Sequence, residues 1–253
     1  MKKNKYLTLL NYLVLTELKL RYKSSILGFL WALIEPLLIA LTLLLVFTQL
    51  FTSNLANFPG YLLTGFIAWF FLANGTGKLE ILVNKKDLIQ KIKFPNLIII
   101  LSQTITVFIE SLTSFIILIF FLIFILKIDI TLNIIALPLL LILQFIFVLG
   151  LSIILSSLYV FIRDLSKIWA ILMQVWFFLT PIVYPQSLLT KKNYILLTLN
   201  PMLYFINAYR NILVYGKSMT FNSLLILCFI SSTTLIIGYK IFKKFESKIP
   251  EEI

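Results

Sequence analysis

From residue 131 to residue 162 the chain runs through 32 positions without a single Asp, Glu, Lys or Arg. A helix rises 1.5 Å per residue, so about 20 apolar residues cross the ~30 Å of hydrocarbon in a bilayer. Further runs with at most one charge cover 26–51, 59–77, 96–126, 168–184 and 218–239. Segments in lipid must satisfy their own backbone hydrogen bonds, which points to helices throughout. The expected fold class is therefore an all-α membrane protein with six transmembrane helices. The runs at 96–126 and 131–162 exceed one crossing and should tilt or project beyond the hydrocarbon.

Composition closes off the soluble alternatives. Hydrophobic residues make up 60% and charged residues 13% of the 253 positions, with a mean hydropathy of +1.03. The net charge of +12 is spread between the apolar runs and not gathered with exposed aromatics, so it argues against nucleic acid. Positive-inside topology accounts for it. With the N-terminus inside, cytoplasmic segments hold 6 (1–30), 5 (74–95), 2 (Arg163, Lys167) and 4 (240–253) Lys and Arg, or 17. The outer segments hold Lys127, Lys191, Lys192, Arg210 and Lys217, or 5. Both termini are accordingly expected in the cytoplasm. Cys228 is the only cysteine, which rules out an intrachain disulfide, and the absence of His removes the usual general base. Lys2, Lys3 and Lys5 open the chain like a signal peptide, but no small-residue cleavage site follows.

The segment 18–36, LKLRYKSSILGFLWALIEP, joins two regimes. Before it, Lys5, Thr8, Tyr12, Thr16, Lys19 and Lys23 fall on one helical face and Leu7, Leu10, Val14 and Leu18 on the other, so residues 1–25 read as an amphipathic helix in the headgroup layer. After it the first apolar run begins. Arg21, Tyr22 and Lys23 with LGFLWALIEPLL at 27–38 resemble the N-terminal signature of permease subunits of type-2 ABC exporters of lipid-linked polysaccharide, the family of O-antigen, capsule and teichoic acid exporters. FIRDLSKIWAILMQVWFFLTPIVYP at 161–185 and NPMLYFINAYRNILVYG at 200–216 resemble that family's fifth-span and outer re-entrant motifs.

The resemblance implies a single transmembrane domain over 1–253, a second copy of the chain, and two separate ABC ATPase subunits that carry ATP and Mg. No cofactor is expected on this chain. The substrate implied is a lipid-linked glycan at the bacterial inner or plasma membrane, with Arg21, Lys23 and Glu35 at a headgroup entrance. Arg21 and Lys23 read equally as topology anchors, and Glu35 as a headgroup-level ion pair. The loop 84–95, NKKDLIQKIKFP, sets Leu88, Ile89 and Ile92 on one face among Lys85, Lys86, Asp87, Lys91 and Lys93. By composition it is a positive-inside loop; by resemblance it is the coupling helix that docks on the ATPase, with a second contact near Arg163 and Asp164. NGTGKL at 74–79 fails the phosphate-loop pattern at both ends, in keeping with ATP hydrolysis on another chain.

Glu35 and Glu110 are the acidic residues inside the runs, and intramembrane carboxylates are functional candidates. Glu110 has no evident partner within its own run. Trp69, Phe70, Trp176, Phe177, Phe178 and Tyr184 suit a path for sugar rings and equally suit lipid-facing packing. Segment 185–217 is too short for two more crossings and is interrupted at Asn200 and Pro201, so it reads as outer re-entrant helices, with Tyr204, Tyr209 and Arg210 lining or gating an exit; surface helices are the other reading. Ser152 and Ser156 mark close helix approach. A permease of the same fold for small hydrophobic drugs and a membrane transferase acting on lipid-linked sugars are the rival functions.

Overall fold

The computed structural model describes residues 2–23, 28–51, 57–92, 94–186 and 198–253, and it is helical, with no strand among them. Three described helices are long and apolar enough to cross a membrane, Leu97–Phe124, Leu132–Tyr159 and Phe221–Phe245.

Helix α1 (Lys2–Tyr22) lies along α6 (Leu97–Phe124). Leu13 and Val14 are its buried stripe, whereas Leu7, Leu15 and Leu20 are exposed beside Lys5 and Lys19. The expected two-faced helix is thus three-sided, with one stripe on the protein and apolar residues left for lipid. A short turn, Gly28–Leu30, precedes α2 (Trp31–Phe51), so the first apolar run becomes helical later than its start at residue 26 suggests. Residues 24–27 lie outside the described residues.

Helix α3 (Phe58–Thr76) is the hub, with 15 of its 19 residues buried. Pro59 opens it, where a missing N–H costs nothing. Its small residues admit neighbours closely: a Cβ on Gly75 would stand 2.2 Å from Val148 Cγ1. Two short helices follow, α4 (Ile81–Asn84) and α5 (Lys86–Lys91), parted at Lys85. Helix α6 leads through a turn at Leu132–Ala136 into α7 (Leu137–Tyr159).

Helix α8 (Leu165–Leu179) corrects the expected fifth run at 168–184. It starts earlier and stops at Thr180, which is extended because a residue before proline is pushed out of the helical region. Residues 187–197, the first part of the re-entrant segment, lie outside the described residues. Helix α9 (Pro201–Leu213) is wedged against α3, with Phe205, Ile206, Tyr209 and Ile212 fully buried. This half of the segment is packed among the helices and not laid on the protein's exterior. Helix α10 (Phe221–Phe245) crosses α7 tightly; a Cβ on Gly238 would meet the Gly150 carbonyl oxygen at 2.6 Å. Helix α11 (Ile249–Glu252) folds back beneath α5.

Polar side chains rivet the apolar helices together. Gln144 donates to the Ala68 carbonyl, Ser152 to Gly75 and Ser231 to Leu143. Without water to compete, such bonds position helices that lipid would otherwise solvate as well as protein does.

Candidate functional site

The sequence-distant side chains that meet at one end of the helices do so around a cavity of about 280 Å³. Arg21 of α1, Trp31 and Glu35 of α2, Phe70 and Asn74 of α3 and Glu110 of α6 are among its lining. Arg21 is ion-paired with Glu110 through Nη1 and Oε2. Glu110 has no partner within its own run, as expected; its partner lies 89 residues away on another element. Glu35 is exposed, lines the same cavity, and is paired with neither Arg21 nor Lys23. Lys23 is exposed in the turn after α1 and does not line the cavity.

A second ion pair, Lys85 Nζ to Glu17 Oε1 at 3.1 Å, ties α1 to the turn between α4 and α5. Lys78 sits close by, and burial with the nearby Arg21 charge lowers its pKa below the usual lysine range, against the opposing pull of Glu17 and Glu80. Leu88 is half-buried and Ile89 buried, while Lys86, Asp87, Lys91 and Ile92 are exposed, so the apolar face foreseen for the loop is shortened to its first two members. Lys93 lies outside the described residues. Arg163 lies over the Tyr159 ring at 5.5 Å and donates to the Glu252 carbonyl; Gln90 donates to that of Ile253. Helix α11 with Ile253 thus bridges the two segments singled out in the sequence, 84–95 and the neighbourhood of Arg163. Asp164 is exposed at the start of α8.

The aromatic set divides. Trp69 faces α8, edge-on to Trp176 at 5.5 Å and to Phe177 at 5.7 Å. Phe70, one residue on, turns instead to the cavity with Arg21. Phe178 is exposed and edge-on to Phe177, and the Tyr184 hydroxyl donates to the Phe178 carbonyl. One continuous stripe is not formed, because adjacent helical positions are turned by about 100°.

At the opposite end, the residues expected to line an exit are largely structural. Asn200 caps α9 by accepting from the Met202 N–H, accepts from Trp176 Nε1 and donates to Thr180 Oγ1; Pro201 occupies the first turn. Tyr204 donates to the Thr198 carbonyl. Tyr209 is fully buried, stacked on Phe115 at 4.8 Å and donating to Gln144 Oε1 at 2.7 Å. Arg210 is 1% exposed; its Nε donates to the Tyr61 carbonyl, its Nη2 to that of Ile182, and its guanidinium lies 3.3 Å from the Tyr61 ring centroid. Gly65 makes room for it, since a Cβ there would stand 2.6 Å from Nη2. Tyr209 and Arg210 therefore fasten α9 to the core, and Tyr209 lines no exit.

Glu17, Asn74, Lys78 and Gln144 were not singled out as site or anchoring residues by sequence reasoning. Gln144 carried a usable signal, a long amide in the middle of a charge-free run; Glu17 and Lys78 did not, because their partners lie on other elements.

Residues 8–214 match the ABC-2 type transporter family. An O-antigen export system permease protein RfbA of Myxococcus xanthus is 31% identical over 255 residues, covering 98% of this chain and 96% of its own. The protein of the same name from Klebsiella pneumoniae is 30% identical over 237 residues, covering 93% and 91%.

Proposed function

The chain belongs to the ABC-2 type transporter family, and from that premise we propose that it is the membrane-spanning permease subunit of an ATP-driven exporter of lipid-linked polysaccharide. The observation that carries this is end-to-end similarity to permeases named for O-antigen export, with no large gap in either chain's coverage. Its role is transport, and hydrolysis of ATP with Mg belongs to a separate ABC ATPase.

In this reading the chain crosses the bacterial inner or plasma membrane six times, with both termini in the cytoplasm. Two copies enclose the path, and two ATPase subunits engage α5 and the neighbourhood of Arg163. The segment 185–217 controls the outer side. A polyprenyl-diphosphate-linked glycan enters from the inner leaflet at the cavity between α1, α2, α3 and α6, whose Arg21 is balanced by Glu110. The Glu17–Lys85 pair supports a link from ATPase to entrance, because it ties α5's leading turn to the helix that carries Arg21.

The test is co-purification from the native host followed by ATP hydrolysis with added lipids. An ATPase in a two-plus-two complex, stimulated by lipid-linked glycan and not by hydrophobic drugs, is the expected result. Recovery of the permease without any ATPase, or stimulation by drugs alone, overturns the proposal.

A further inference from the structure

Resting on the reading of that cavity as the substrate entrance, we infer that it recognises the sugar directly attached to the lipid diphosphate, through its hydroxyl groups, and does not select for the diphosphate itself.

The charge of the lining is the first reason. Arg21 contributes +1 and Glu35 and Glu110 contribute −1 each, so the cavity carries +1 − 2 = −1. Glu110 already occupies the guanidinium. A diphosphate inside the cavity would bring more negative charge to a net negative lining, a repulsion that water reaching the exposed Glu35 weakens without reversing. Lys78, close to Arg21 and outside the lining, offers a cation to the diphosphate next to the sugar.

Hydrogen-bonding capacity is the second. Among the described residues no side-chain bond is made by Glu35, Asn74 or the Trp31 indole, although all three line the cavity. Together they offer a carboxylate that accepts, an amide that donates and accepts, and an indole N–H that donates. Sugar hydroxyls both donate and accept, and they match this set without bringing charge. Phe70 and Trp31 add aromatic surface for the C–H face of a pyranose.

Size is the third. At about 280 Å³ the space is just under the ~300 Å³ at which drug-sized pockets begin, which suits one ring rather than an oligomer. A site built to hydrogen-bond hydroxyls discriminates strongly against ligands that lack them, since its polar groups are then left without partners. Such a cavity admits loaded carrier lipid and refuses the empty carrier.

The experiment compares two defined probes, polyprenyl diphosphate and polyprenyl-diphospho-N-acetylglucosamine, on the full chain with its co-purifying ATPase in nanodiscs. The sugar-bearing probe is expected to bind about tenfold tighter or better. Glu35→Gln, at an exposed position where folding is spared, is expected to weaken the sugar-bearing probe and to tighten the bare diphosphate roughly threefold by removing a negative charge. Trp31→Leu should weaken only the sugar-bearing probe. Equal binding of the two probes, or a shift of both in one direction by Glu35→Gln, overturns the inference and leaves the exporter reading standing. If neither probe binds nor alters ATP hydrolysis, the substrate reading falls and the inference with it.

Discussion

Arg21 and Arg210 are both arginines at the edge of apolar helices and both border cavities, and they differ in exposure and in what holds them. The Arg21 side chain is 26% exposed, faces a carboxylate, and borders a cavity. Arg210 is 1% exposed, is held by two carbonyls and an aromatic face, and has no ion pair among the described residues. A partly exposed charge that an acid balances can part from it without disturbing the packing around it. A charge locked between backbone carbonyls cannot move without dismantling the helices around it. One end of the molecule therefore holds its charge in a partly exposed ion pair, and the other uses it to fix α9 and the turn after α8 onto α3.

The largest expected effect lies at the fixed end. Arg210→Ala leaves the Tyr61 and Ile182 carbonyls without their donors and opens a space against Gly65, a loss of about 3 kcal/mol or more. For a chain of this size that lowers the melting temperature by roughly 6–12 °C. Arg210→Lys should recover little of it, because an ammonium cannot reproduce the planar fork. A melting temperature within 2 °C of wild type, about what 1 kcal/mol produces, would remove Arg210 from the structural role.

Arg21→Ala is expected to act the other way round, sharply reducing export while shifting the melting temperature by less than about 4 °C, since a partly exposed ion pair contributes ~1 kcal/mol or less. The exchanged pair Arg21→Glu with Glu110→Arg sharpens the contrast. It should restore the ion pair and stability but not export, because the guanidinium then projects from α6. Export by the exchanged pair at the wild-type level would reduce Arg21 to a strut.

The smallest effect concerns Lys78. Its folded-state pKa is lowered from the ordinary lysine value, so the folded chain releases this proton before the unfolded chain does. Over the window just below 10.5 the unfolded state binds more protons, and stability should rise with pH. Lys78→Met should remove that slope. An unchanged slope in the variant assigns the pH dependence to other groups.

How far these contrasts were legible beforehand differs by region. The helical membrane class followed from runs such as 131–162, since a charge-free stretch of that length has no other stable solution in lipid. The α5 segment was also visible, through Pro95 and its charged flanks. The break at the end of α8 was legible from Thr180 and Pro181, although the apolar run was carried on to residue 184 because its content stays apolar past the local backbone restriction. The split between Trp69 and Phe70 was invisible, because neighbouring positions on a helix face different partners and only those partners decide which one lines a cavity.

By itself, then, the sequence determined that the chain folds into apolar helices and roughly where they run, because that depends on local hydropathy and on Pro and Gly at single positions. Tertiary structure alone decided which charges matter and how. Arg21 found Glu110 at a separation of 89 residues, Glu17 found Lys85, and Arg210 found carbonyls and a ring instead of an acid. The physical reason is that an ionisable group near a membrane takes its role from what it faces, and what it faces comes from helices distant in the chain.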